Sequence, residues 1–207
     1  MIDLFERTDL SEHQKRALWA LQARVNPRLL QSTGQLHWIR TGDMINGPNA
    51  SVVMGAFSHN RNPTRFSNGL FGIYYGAQKQ DTAIYETVFH KQRYAKERGV
   101  RAQDFHMRSW IGKILKPCYD IRVPEYNHLH DPDDYSASQA FTRWLLGADP
   151  DAFGIVFKSV RHPGGSCIAA LRPPAVSRPA QGAHLVYHWD GSRITHVVEQ
   201  SDAIMTF

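Results

Sequence analysis

Strand-like and helix-like segments intermix irregularly along the 207 residues, which predicts a single α+β domain with a mixed, mainly antiparallel sheet, not a regular parallel α/β fold. Short apolar runs bounded by glycine and turn residues recur through the second half of the chain. Between two of them, Asp190-Gly191 is a hairpin signal, because both positions of a tight two-residue turn favour positive φ. At the other end, periodic apolar residues predict a helical arm over residues 1–35, ahead of a domain over residues 36–207.

In the arm, Ser11 and Gln14 have the spacing of a capping box, in which each side chain satisfies a free amide at a helix start. Ala17, Leu18, Leu21 and Val25 follow at helical spacing, and Pro27 closes the segment. Short strands are expected around Leu36–Ile39 and over Ser51–Phe57, on either side of the turn-rich Gly47-Pro48-Asn49. The run GLFGIYYG, Gly69–Gly76, is apolar and aromatic, as a buried strand would be. Asp81 is placed to cap a helix from Thr82 to about Arg98, with Gly99 as its stop. Ile84, Val88 and Ala95 mark its inward face, with Tyr85 and Phe89 beside them. Further strands are expected at Ser109–Leu115, Ile121–Val123, Phe153–Ser159, Ser166–Leu171, His184–Trp189 and Ile194–Val198. Ser136 and Gln139 repeat the capping-box spacing and predict a helix to about Gly147.

Composition narrows the class. Hydrophobic residues make up 42% and charged residues 21%, an ordinary globular balance with chain enough for one buried core. A net charge of +5 suits an anionic ligand, an acidic protein or nucleic acid without choosing among them. No run of like charges suggests a nucleic-acid tail. Two cysteines, Cys118 and Cys167, without a CxxC pair, suit reduced, buried thiols. The charged N-terminus has no apolar stretch like that of a signal peptide, and no segment is apolar enough to span a membrane. The expectation is a soluble cytoplasmic protein.

Four residue types at particular places point to chemistry. Arg65 (in TRFSNG) precedes Tyr75 (in IYYGAQ), Glu86 (in TAIYETVFH) follows, and Ser159 (in GIVFKSVRHPGG) comes late. Breaking an N-glycosidic bond develops positive charge on the ribose, which a nearby carboxylate stabilises. A guanidinium can clamp a pyrophosphate, an aromatic face can pack on nicotinamide, and a hydroxyl can hold an amide or ribose. Each residue also has a plain structural role open to it. Arg65 can be a solvated loop residue, Tyr75 a core ring, Glu86 with His90 an exposed i,i+4 pair, and Ser159 a strand-end hydroxyl bonded to backbone. The segment of His128, His130, Asp131, Asp133 and Asp134 offers metal ligands, but a solvated acidic loop is the simpler reading and no metal is expected. Gly164-Gly165 can bring amides close to a phosphate or form an ordinary turn, and His162 can face substrate or backbone.

The ordered set resembles the RES domain, named for its Arg, Glu and Ser. TAIYE with His90 four residues on, and SVRHPGG, are the specific pieces; YYGA and TRFSNG are looser, and Thr64-Arg65-Phe66 departs from a Gly-Arg-Trp pattern. The resemblance runs over about residues 36–172, favours Tyr75 over Tyr74, and makes Arg40 in HWIRTG the counterpart of a second N-terminal arginine. It implies a fold related to ADP-ribosylating toxins, and the toxin of a toxin–antitoxin pair that degrades NAD by hydrolysis or phosphorolysis. Catalysis is then expected from Glu86, Arg65, Tyr75, Ser159 and His90, and NAD contacts from Arg40, Arg65, Tyr75, Ser159 and Arg161. NAD is substrate, with no cofactor required and phosphate a candidate co-substrate. The expected partner is a cognate antitoxin with a helix-turn-helix domain, with no direct nucleic-acid or membrane binding. ADP-ribosyl transfer to a protein is the alternative within enzymes, and a non-catalytic, basic nucleic-acid-binding regulator the alternative outside them.

Overall fold

A computed structural model describes residues 39–58 and 62–200, together with Ser11, His13 and Gln14. Seven strands and three α-helices are described: α1 Ala50–Ser58, β1 Tyr74–Ala77, α2 Gln80–Glu97, β2 Gln103–Ile111, β3 Tyr119–Asp120, α3 Ser136–Ala148, β4 Gly154–Lys158, β5 Ser166–Ala170, β6 Ala180–Trp189 and β7 Ile194–Gln200. The strands form two sheets instead of one. One has the order β1-β5-β4-β3 and is antiparallel except for β3 beside β4; the other, β2-β6-β7, is wholly antiparallel. The α+β class and the mainly antiparallel pairing follow the expectation. Most of the arm and the boundary at residue 35 lie outside the described residues. At its start, Ser11 and Gln14 do exchange the two backbone-to-side-chain hydrogen bonds of a capping box, at 2.9 and 3.3 Å.

Side chains alternate across a strand, so β5 feeds two cores. Cys167, Ala169 and Leu171 join Phe66, Ile121, Leu145, Ile155 and Phe157 on the face that α3 covers. Ile168 and Ala170 face the other way and pack with Val53 and Phe57 of α1. Both faces of this sheet are therefore buried, which explains the near-continuous apolar runs of β4 and β5.

Several local expectations are corrected. Ser51–Phe57 is helix, not strand: Val53, Met54 and Phe57 are buried at helical spacing. Of the Gly69–Gly76 run only the end pairs, as β1, which starts at Tyr74. The helix after β1 begins at Gln80 with Lys79 as N-cap, and Asp81 lies in its first turn, where its charge suits the helix dipole. The second capping box does not form. Ser136 Oγ donates to Asp134 instead, and Gln139 Nε2 donates to the carbonyls of Thr64 and Ser67. The expected Ser109–Leu115 strand lies earlier, as Gln103–Ile111. The hairpin at Asp190-Gly191 is real but wider: Asp190 N donates to Arg193 O, and only Gly191 takes a positive φ.

Candidate functional site

The site is set by what β1, α2 and the end of β4 bring to one cavity. Strand β1 runs beside β5 with Tyr75 opposite Ala169 and Ala77 opposite Cys167, and Cys167 in turn faces Phe157 of β4. Tyr75 thus lies on the α3 face, while its neighbour Tyr74 packs against the α1 cluster. After two linking residues α2 crosses above. The cavity between, about 470 Å³, is lined by Tyr75, Gly76 and Ala77, by Phe157 and Cys167, by Met107 of β2, and by Ala83, Glu86, Thr87, His90, Lys91 and Tyr94 along one side of α2. That volume falls in the range of small-molecule sites. A larger open groove, about 860 Å³, lies away from it between residues 45–49 and 174–180; its charged residues are Lys116 and Arg178, so it offers no carboxylate or histidine.

Glu86 and Ser159, far apart in sequence, meet here. Ser159 Oγ is 2.6 Å from Glu86 Oε1. The backbone N–H groups of Arg161 and His162 both donate to Ser159 Oγ, at 3.2 and 2.9 Å. With both acceptor directions used, the hydroxyl proton is committed to the carboxylate, and a short charge-assisted bond results. The local cause is the turn after β4: Ser159 N donates to Gly165 O, and Gly165 N to His162 O. Gly164 takes φ +77°, and a Cβ on Gly165 would come within 2.8 Å of Thr82 Oγ1. Only a glycine pair lets this turn close against α2. Thr82 Oγ1 and His162 Nδ1 then share a 2.9 Å hydrogen bond, and Tyr85 stacks on His162 at 4.5 Å. Glu86 lines the cavity, and its Oε2 has no hydrogen-bond partner among the described residues.

Tyr75 keeps 37% of its surface open. Its hydroxyl donates to Thr64 Oγ1 at 2.9 Å and accepts from Phe66 N at 3.2 Å. Burial of the phenol pushes its pKa up to about 12, so it stays neutral. Its two hydroxyl contacts fix the ring at the cavity wall. Cys167 is likewise pushed up to about 12, by burial first and then by the Glu86 carboxylate, which favours the thiol over the thiolate.

Arg65 is 7% exposed. Its Nη1 donates to Asp131 O at 2.7 Å and to Leu129 O at 3.3 Å, and the guanidinium lies 4.5 Å from the Tyr135 ring centroid. Desolvation lowers its pKa, against the raising pull of Tyr135 and Glu86. Arg161 rests 3.4 Å over the Phe89 ring, donates to Pro132 O and pairs with Asp133. Both arginines thus hold the 129–135 loop beside the Glu86–Ser159 pair. In that loop Asp131 Oδ1 accepts from the amides of Asp133 and Asp134, a backbone role, and no group of metal-ligating side chains occurs among the described residues. His130 accepts from Lys158 N at Nε2 and bonds Tyr126 O through Nδ1. That pattern requires the neutral ring, and desolvation lowers its pKa to match.

His90 lies one turn beyond Glu86 on the cavity wall. Desolvation lowers its pKa, with the Glu86 carboxylate pulling the other way. Arg40 is not brought to this site. It pairs with Asp151 at 2.6 Å and donates to Pro150 O, in a cluster where Arg172 also bridges Asp43 and Asp151. Residues 150 and 151 precede β4 and Ser159 follows it, so the five residues of that strand, about 16 Å of extended chain, lie between. Sequence reading missed Thr82, Lys91, Tyr94 and Met107. Thr82, fully buried inside a helix, has no local signal, because its partner is eighty residues away.

The sequence pattern of the RES domain matches residues 43–190 of the chain. The chain belongs to the RES-domain family. The match encloses every strand from β1 to β6 and all four of Arg65, Tyr75, Glu86 and Ser159. The RES domain is associated with toxins of toxin–antitoxin pairs and with enzymes acting on NAD. An uncharacterized protein of Sinorhizobium fredii, y4oC, is 28% identical over 201 residues, covering 94% of this chain and 80% of that protein. No helix among the described residues of this RES protein is long and apolar enough to cross a membrane.

Proposed function

We propose that this RES protein cleaves the nicotinamide–ribose bond of NAD and thereby acts as the toxin of a toxin–antitoxin pair. The observation that carries the reading is the Glu86–Ser159 contact at the cavity wall, which holds one carboxylate oxygen and leaves the other without a hydrogen-bond partner among the described residues. Nicotinamide packs against the Tyr75 ring, and the ribose C1″ sits beside Glu86 Oε2. As the C1″–N bond breaks, its electron pair goes to the pyridinium nitrogen, which leaves as neutral nicotinamide. The positive charge that grows on the ribose is opposed by Glu86, whose position Ser159 fixes in advance, so little reorganisation is needed. Water then adds to C1″ and releases a proton, giving ADP-ribose; inorganic phosphate in its place gives the 1″-phosphate. His90, whose pKa desolvation lowers, is placed to orient the carboxylate or to contact the incoming acceptor. Arg65, buried behind the cavity lining, lends positive potential beside the pair; Arg161 anchors the turn that carries Ser159. No metal or cofactor takes part.

The reading extends to kinship with ADP-ribosylating toxins and to a helix-turn-helix antitoxin that covers the cavity. Incubation of the purified protein with NAD, with and without phosphate, tests it. Free nicotinamide with ADP-ribose or its 1″-phosphate is the expected result. Unchanged NAD overturns it, and nicotinamide release with mass added to a protein would make the reaction a transfer.

A further inference from the structure

We propose that the far end of the same cavity, formed by Lys91, Tyr94 and Met107, is a separate subsite for a phosphorylated aromatic group, the adenylate half of a dinucleotide, and that it selects the substrate. Its orientation relative to the cleaved bond rests on the reading of Glu86 above. From Glu86, Lys91 and Tyr94 lie about 7 and 12 Å further along the α2 axis at 1.5 Å per residue. Among the lining residues Glu86 is the carboxylate and Lys91 the ammonium, with His90 between them. The wall is thus negative at one end and positive at the other, matching a ligand that is cationic at the cleaved bond and anionic one phosphate further on.

Lys91 is committed to no carboxylate: it forms no ion pair among the described residues, whereas Arg93 on the same helix pairs with Glu97. Its ammonium lies between two rings, 5.0 Å from the centroid of Phe105 and 5.9 Å from that of Tyr94. Arg98, outside the cavity lining, lies 5.3 Å from the centroid of the Tyr94 ring. Tyr94 is 48% exposed, and Met107 reaches the same cavity from β2. A tyrosine face and an adaptable thioether make a slot for a planar base.

The test uses AMP as the probe, titrated calorimetrically into the full chain at low salt. The parent protein binds one equivalent. Lys91→Gln weakens binding about tenfold or more, by loss of a charge-assisted contact, and Tyr94→Ala does so to a similar extent, by loss of a stacking face. In turnover, the ratio of kcat/KM for NAD to that for nicotinamide riboside, which lacks phosphate and adenine, falls at least about tenfold in both variants. No AMP binding by the parent, equal AMP affinity in parent and Lys91→Gln, or equal slowing of both substrates overturns the subsite. If the parent releases nicotinamide from neither substrate, the cleavage reading fails and the AMP titration alone decides the subsite. Lys91→Gln keeps the helix preference of the position, so it decides the matter should Tyr94→Ala fold poorly.

Discussion

Replacing Glu86 by Gln separates charge from shape at the centre of the site. Ser159 Oγ already accepts two backbone N–H groups, so its proton must go to residue 86, and the amide oxygen of Gln can take it. The bond becomes neutral instead of charge-assisted, a loss of about 1 kcal/mol in stability. Gln retains the helix preference and size of Glu, so α2 and the turn after β4 stay in place. What goes is the negative charge opposite the ribose. A preorganised electrostatic contact of this kind contributes about 3–4 kcal/mol to the transition state, so nicotinamide release should slow by at least ~100-fold. NAD affinity, which draws on the whole cavity, should change far less. The assay is chromatographic nicotinamide release under single-turnover conditions, with folding checked by urea denaturation. A folded Glu86→Gln protein that turns over NAD within tenfold of the parent rate refutes the electrostatic role, and with it the placement of the cleaved bond at Glu86.

Three further outcomes follow from the same geometry. Arg65→Ala removes two carbonyl contacts and the Tyr135 stack from a buried position, so urea denaturation should register a loss of about 2–3 kcal/mol; an accompanying tenfold loss of NAD affinity by titration would add a ligand contact, and unchanged stability would contradict the loop-holding role. Thr82→Val keeps the buried shape but deletes the bond to His162, which should cost about 1 kcal/mol in urea denaturation and loosen the Ser159 turn, read as a fall in kcat while hydrogen exchange shows α2 still folded. For pH, His90 and His130 both have folded-state pKa values below the ordinary one, so the unfolded chain binds more protons as pH falls. Their contribution is fully present above about pH 6.5 and is lost as pH drops through the lower folded values. Denaturation midpoints should therefore decline below that pH, and His130→Gln should reduce the slope; a flat profile from pH 8 to 5 would contradict both neutral rings.

Local signals in the chain determined the elements whose cause is local. Gly99 ends α2 with φ +58°, the HPGG turn closes β4 onto β5, and the apolar runs of residues 154–158 and 166–170 are strands because both their faces are covered. The resemblance to the RES domain pointed to Tyr75, Glu86 and Ser159; Tyr75 and Glu86 line one cavity, and Ser159 hydrogen-bonds Glu86. Other features depend on partners remote in the chain, which no local pattern records. Ser51–Phe57 reads as a strand because its apolar content fits either period, and only its packing against Ile168 and Ala170 of β5 makes it a helix. Arg40 and Arg65 look alike in sequence. Tertiary structure ties Arg40 to Asp151 at the start of β4 and seats Arg65 in the loop beside Ser159, at its end. The cavity that Lys91, Tyr94 and Met107 extend exists because α2 spans both sheets, and which strands join which sheet is fixed by long-range pairing energy, which the sequence of any one strand does not carry.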